Sequence, residues 1–360
     1  MLKPQEWESV IETIASGSTI LCLGAELFST AGKTLDEQLG EELAGLDNVH
    51  LYGDGLFHLK GSGHMTSYTK IKQFFNRDFP ALAPVMEQLA QLPISVVVNT
   101  TPDRSFQKAC IKLGMPFQYD YHHPNKPARE PEEPRQEEPY LYNLMGDLDR
   151  RESMVLTHED LFGFMESLME GKSMPRVLRQ TINTAYSFIF LGLPFGKWHM
   201  KVLLHFLQKD TNKQALKHAA NEAFDTEVQS FMVDQFQITC VPTNIGDFTG
   251  ELYRLCAERG ILRSAAAPPP KLSLFEKWTK MVLEDELDPL IEELVAYFSQ
   301  HFAGHTENLN HLFNLGGRLS SVERMVQRGT IAQEDAHLQR NQIRDAILDF
   351  LQDTVKPLST

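Results

Sequence analysis

Residues 18–32 read STILCLGAELFSTAG, and the fold follows from how that stretch is parsed. TILCL is an apolar run closed by Gly24, the pattern of a short buried strand. A loop of small and polar residues follows, with Glu26, Ser29, Thr30 and Gly32, and a helix begins near Thr34. A strand ending in glycine just ahead of a helix leaves backbone N–H groups at the carboxyl edge of a sheet, where α/β proteins hold nucleotide phosphates. Neither G-x-G-x-x-G nor G-x-x-x-x-G-K-[ST] is present, so the ordinary dinucleotide fingerprint and the P-loop are both excluded. From spacing alone, a nucleotide cradle and a plain strand–helix connection both stay open.

Outward from this stretch, further strands alternate with helical segments. ISVVVNT (94–100) is an unbroken run rich in β-branched residues, as in a strand covered on both faces of a parallel sheet. It leads into Pro102 and Asp103, which suit the first turn of a helix. Asn99, Thr100, Thr101 and Asp103 are thereby expected at the same carboxyl edge, as ligand contacts or, for Asp103, as a helix-end stabiliser. Residues 140–145 and 154–156 read as strands around a Gly146-Asp147 turn, and Thr157 with Asp160 resembles a capping box. SFIFL (187–191) is a buried strand closed by a glycine turn at Gly192, FQITCVPT another strand, and DFTGELYRLCAERG a helix. Before the first strand, Trp7, Val10, Ile11 and Ile14 fall at helical spacing. Leu35, Leu39 and Leu43 do so after it, and 67–75 and 82–92 read as two more helices. The pattern predicts an α/β class with a Rossmann-like, largely parallel sheet covered by helices.

Three stretches depart from that rhythm. LYGDGLFHLKGSGHM, with His58 and His64, reads as a Gly-rich surface turn or a ligand loop. From Pro124 to Pro139, five prolines alternate with charges, so 120–139 is expected to be a solvated insertion or a lid. His122 and His123 at its mouth are expected as exposed loop residues, with metal ligation or base chemistry the alternative. SAAAPPPKL (264–272) then marks a linker, drawn at 263–271. Beyond it Leu312, Leu315, Leu319, Val322 and Val326 line one helix face. Gly329 closes that helix, and Thr330 with Gln333 opens one carrying Ile343, Ile347 and Leu351. A small all-α bundle over 272–356 is expected, of the kind that binds another protein.

The net charge of −14 argues against non-specific binding to nucleic acid or acidic membranes. Cys22, Cys110, Cys240 and Cys256 are far apart with no C-x-x-C pair, which suits buried thiols in a reducing compartment and no zinc site. No apolar run approaches the roughly 18 residues of a membrane span, and MLKPQEWESV lacks a signal-peptide core, so a cytoplasmic setting is expected.

In that order and spacing, LGAELFS, VVNTTPD, LYNLMGDL, MVLTHEDLFGF and FIFLGLPFGKWHMKVLLHFL resemble the sirtuin-like (silent-information-regulator-like) domain, in the branch found in prokaryotic defence proteins, over residues 1–262. The segment LFNLGGRLSSVERMVQRGTIAQEDAHLQRNQIRDAILDFL resembles the bacterial effector-associated domains, small helical adaptors that work by like-to-like contacts. The first resemblance implies NAD or ADP-ribose as ligand, held against Gly24, Ala25, Glu26, Ser29, Asn99, Asp103, Gly146 and Gly192, with no metal. Three departures stand out. Glu26 replaces the second glycine of a Gly-Ala-Gly-x-Ser loop, placing a carboxylate and a Cβ where phosphate would approach. Thr101 takes the place of the asparagine in Thr-Asn-x-Asp, and Asn99, two residues earlier on the same face, is the one candidate to replace it. Met145 stands where His-Gly supplies a general base, and a thioether takes no proton at neutral pH. His122, His123 and His158 are the candidate substitutes, His158 being expected in the first turn of its helix. The resemblance thus implies a catalytically degenerate binding module coupled to protein partners through its tail. The alternative is an NAD glycohydrolase with an unconventional base. An oxidoreductase is disfavoured by the missing glycine fingerprint.

Overall fold

In the computed structural model the first strand, β1 (Thr19–Leu23), is buried at every position. The structure describes residues 2–29, 32–46, 49–59, 64–170, 174–208, 212–264, 274–283, 287–301, 306–327, 330–331 and 333–355. The other strands are β2 (Val49–Leu51), β3 (Phe57–Leu59), β4 (Val96–Asn99), β5 (Gln118–Tyr121), β6 (Tyr140–Asn143), β7 (Ser187–Leu191), β8 (Leu216–Asn221) and β9 (Thr239–Pro242). Seven of them form one sheet in the order β5-β6-β4-β1-β7-β8-β9, with every pairing parallel. β2 and β3 form a separate antiparallel hairpin.

Strand periodicity divides the core into two layers. Leu21, Leu23, Val97, Leu141, Ile189 and Leu191 face one side, where Trp7, Val10, Ile11 and Ile14 of the helix Pro4–Ala15 pack with the helices Ala83–Gln91 and Ile245–Glu258. Ile20, Cys22, Val96, Val98, Tyr140, Tyr142, Phe188 and Phe190 face the other, beneath the helices His158–Glu170, Arg176–Thr184 and Thr226–Phe236. Helices on both faces are what an all-parallel sheet requires, and they explain why its inner strands carry no polar alternation.

Several expectations are corrected. The Gly-rich stretch around Asp54 is the β2–β3 hairpin, its turn held by the Tyr52 N–H donating to Leu56 O at 2.8 Å. Residues 118–121 form the edge strand β5, so the irregular segment begins only after Tyr121. That segment is tied down: Gln136 Nε2 donates to Ile14 O and Pro93 O, and Glu130 accepts from the Arg176 and Val177 N–H groups at a helix start. Residues 154–156 form no strand, although Thr157 makes a single bridge to Phe57. β8 carries no clear sequence signal because Lys217 and His218 interrupt its apolar run.

The chain divides into two compact units, Met1–Ala266 and Ala267–Thr360. Arg263, expected to open the linker, is buried and donates to Ala90 O, Pro116 O and Glu137 O in the first unit. Ser264 is exposed, and residues 265–271 of the expected linker lie outside the described residues, as does Gly329. The second unit comprises the helices Leu274–Leu283, Leu287–His301, Thr306–Gln327 and Gln333–Phe350 with a last turn, Leu351–Val355. Its core joins Trp278, Leu294, Phe298, Leu312, Leu315, Leu319, Ile343, Ile347 and Leu351. Val326, expected on the same face, is exposed.

Candidate functional site

β1 lies where the strand order reverses, between β4 and β7. Loops leaving the carboxyl ends of neighbouring strands diverge at such a point and leave a crevice. Here the loops after β1 and β7 interlock. Gly24 N–H donates to Leu191 O at 3.0 Å and Glu26 N–H to Gly192 O at 2.7 Å. A Cβ on Gly24 would sit 2.5 Å from Gly192 O, and one on Gly192, whose φ is +67°, would sit 2.5 Å from the Leu27 N. Both glycines therefore serve backbone contact between two loops. Residues 25–28 form a single 3-10 turn in which Leu27 N–H donates to Gly24 O, followed by Ser29 N–H to Glu26 O. Most of the donors that a phosphate would use are taken inside the protein.

The turn after β4 is equally closed. Asn99 Nδ2 donates to Asp103 Oδ2 at 2.9 Å, and Asn99 Oδ1 accepts from the Thr101 N–H at 3.2 Å. The Thr101 hydroxyl lies 2.8 Å from Asn99 Oδ1 and 2.6 Å from Asp103 Oδ2, serving one with its single proton. Asp103 Oδ1 accepts from the Ser105 N–H, at the start of the helix Ser105–Lys112. Asn99, Thr101 and Asp103 are all buried. Asn99 thus spends its amide on the turn, and Asp103 plays the helix-end role weighed for it.

After β6, Gly146 has φ +89°, and a Cβ there would lie 2.1 Å from Ser153 O. Neighbouring Asp147 is buried and accepts from Arg104 and Tyr119, while Arg104 also reaches Asp149. Met145 precedes this knot and lines a small cavity.

Two cavities flank the β1 loop. The smaller, about 90 Å³, is lined by Ala25, Thr100, Thr101, Met145, Lys197 and His199 among others. The hairpin turn closes over it: Asp54 accepts from Trp198 Nε1 at 3.0 Å, from the Leu56 N–H, and pairs with His158 Nε2 at 2.9 Å. Burial works to raise the Asp54 carboxyl, but these partners together hold it below the ordinary carboxylate range. Lys197 pairs with Asp36 alongside. The larger cavity, about 610 Å³, is lined by Glu26, Ser29, Asn221, Glu222 and Asn244 with apolar Phe79, Val85 and Ile245. Glu26 accepts from Asn221 Nδ2, and burial pushes its carboxyl up to about 7 against the opposing pull of Lys197 and Asn221. The carboxylate thus turns toward the end of β8.

His122 and His123 are not exposed: they are 0% and 7% accessible. The His122 N–H continues β5 pairing by donating to Asn143 O, which carries the ring beneath the helix His158–Glu170. There Nε2 lies 2.7 Å from Ser167 Oγ and the ring packs edge-on against Phe164. Burial, then the His123 charge, bring its pKa down to about 4. His123 Nδ1 accepts from the Asn125 N–H, and neither ring lines the smaller cavity. His158 is the first residue of its helix. Among the described residues no group of three His, Cys, Asp or Glu is placed to hold a metal, and no helix is long and apolar enough to cross a membrane.

Sequence reasoning passed over Lys197, His199 and Asn221. The usable signal was position: GKWH follows the glycine turn of β7 and Asn221 ends β8, both on the edge where polar side chains converge.

Residues 95–237 match the family model described as SIR2-like domain, and residues 273–355 match effector-associated domain 11. The Gly24–Ser29 loop precedes the first match. Among solved structures, one from work on the mechanism and regulation of Sir2 enzymes is similar at 11% identity and a TM-score of 0.38, covering 71% of this chain and 99% of that one. A Sir2 complex with a deacetylated p53 peptide and 3′-O-acetyl ADP ribose is similar at 14% identity and a TM-score of 0.33, covering 71% and 98%. Comparison with curated protein sequences gives no match.

Proposed function

We propose, for a chain that joins a SIR2-like domain to an effector-associated domain, that residues 1–262 are a catalytically degenerate nucleotide-binding module of a prokaryotic antiviral system. It works in the cytoplasm and is coupled through the helical unit to a protein partner or to copies of itself. The observation that carries the reading is the circuit of Asn99, Thr101 and Asp103. Its polar groups satisfy one another, while Met145 occupies the neighbouring cavity wall. Release of nicotinamide passes through an oxocarbenium-like state, and a placed proton acceptor typically contributes about 10²–10⁴-fold, roughly 3–5 kcal/mol. Met145 supplies none of that. The ligand favoured is ADP-ribose or NAD, its adenosine end in the larger cavity, where apolar walls and amide groups lie together. The interlocked β1 and β7 loops and the Glu26 carboxyl both weaken the grip on phosphate.

The test is titration calorimetry of the full chain with ADP-ribose and NAD, beside an assay for free nicotinamide at high protein concentration. Binding of ADP-ribose with fewer than about one turnover per hour is expected, against typical enzyme rates of about 1–10³ per second. Sustained turnover of NAD would overturn the degenerate reading, and silence with both ligands would overturn the nucleotide reading. A second reading, NAD hydrolysis, draws support from one observation: His199 reaches the smaller cavity.

A further inference from the structure

We propose that His199 is the imidazole that meets the ligand in the smaller cavity, taking the place beside Thr101 that Met145 leaves without a proton acceptor. This rests on the nucleotide reading above and deepens it. His199 lines the cavity with Thr100, Thr101, Met145 and Lys197, it is 7% accessible, and its buried Nδ1 has no hydrogen-bond partner. A buried polar atom left unpaired is costly, and a ligand in the cavity that His199 lines is placed to answer this ring.

The other imidazoles considered for this role do not line the cavity: His122 bonds Ser167 and His123 the Asn125 N–H, each keeping its second ring nitrogen buried elsewhere without a hydrogen-bond partner, and His158 pairs with Asp54. Around His199 stand Lys197 on its own loop, Asp36 from the helix Leu35–Leu43, Asp54 from the hairpin turn and His158 from the next helix. Burial first, and then Lys197, keep the ring uncharged. A neutral imidazole offers one donor and one acceptor, which complements a sugar hydroxyl. The ligand class is therefore a ribose-bearing nucleotide with its non-adenine ribose in this cavity. Under the second reading, in which water attacks C1′ of bound NAD, the imidazole takes the water proton as the C1′–O bond forms. The C1′–N bond breaks and its electron pair leaves on the nicotinamide ring nitrogen.

The experiment uses the full chain with ADP-ribose. Calorimetry compares wild type, His199→Ala and His199→Gln, and the His199 ring resonance is followed by NMR in labelled wild type. Alanine is expected to lower affinity about five- to tenfold, with glutamine recovering it to within about twofold, because one hydrogen bond is lost and then partly restored. The ring resonance is expected to move on saturation. Unchanged affinity in the alanine variant, or an unmoved resonance at saturation, overturns the proposal while leaving nucleotide binding intact. If the alanine variant fails to fold, the wild-type resonance decides. Absence of ADP-ribose binding by wild type overturns both this proposal and the reading beneath it.

Discussion

The two sides of the β1 loop are built differently. On the β4–β6 side the cavity is about 90 Å³, and the turn beneath it is a ring of buried groups that answer one another. On the β8–β9 side the cavity is about 610 Å³, and its polar groups stand among apolar walls. A protein that has given up turnover but kept recognition would narrow the first and keep the second open. Glu26 stands at the divide, hydrogen-bonded to the open side and electrostatically coupled to Lys197 on the closed one.

The largest expected effect comes from breaking the seam that separates the two cavities. Gly192→Ala places a Cβ 2.5 Å from the Leu27 N at a backbone φ of +67°. Strain at a left-handed position and displacement of backbone together are expected to cost about 3–4 kcal/mol, read as a lowered denaturant midpoint. A loss below about 1 kcal/mol would mean that the β1 and β7 loops do not press on each other, and the division into two cavities would fail.

The sequence discloses the closed side better than the open one. β1, β4 and β7 announce themselves because both of their faces are buried, so apolar and β-branched residues run without alternation. Met145 and Thr101 stand out because a resemblance assigns a residue type to their positions. β5 is hidden because QYDY is half-buried and runs into the proline segment. The hairpin is hidden because its strands are three residues long and its turn is rich in glycine. His122 and His123 look exposed beside charged prolines, yet continued pairing with β6 draws them inward. Lys197 with Asp36, and Glu26 with Asn221, lie far apart in the chain and meet only through the parallel crossovers. No local pattern encodes such a meeting.

A middle-sized effect sharpens the divide itself. The Glu26 carboxyl has an ordinary value of 4.5 and is pushed by burial up to about 7 in the folded chain. The folded state therefore keeps this proton when the unfolded state has released it. Stability falls as pH rises from about 4.5 through about 7, and the loss is complete above that. Glu26→Gln is expected to be on the order of 2–3 kcal/mol more stable than wild type at about pH 8, with the difference vanishing near about pH 4. In thermal melts that is a gain of several degrees at the higher pH. The same change is expected to raise ADP-ribose affinity about tenfold at about pH 8 by removing a carboxylate near the diphosphate. A variant less stable than wild type at about pH 8 would show that Lys197 and Asn221 overcompensate for burial.

The smallest expected effect probes the closed side. Thr101→Val keeps the shape of the side chain but removes the hydroxyl shared between Asn99 and Asp103, while leaving the Thr101 N–H and the Asn99–Asp103 bond in place. Each remaining oxygen keeps one donor, so the cost is set by a single hydrogen bond in a buried site, about 1–2 kcal/mol, or a few degrees in a melt. Because the hydroxyl is directed at its own turn, ADP-ribose affinity is expected to stay within about twofold of wild type. The opposite pattern, full stability with affinity reduced by more than about tenfold, would require that the hydroxyl leave Asp103 for the ligand. The β4–β6 side would then be a working site held shut only until a nucleotide arrives, and the contrast with the β8–β9 side would reduce to one of volume.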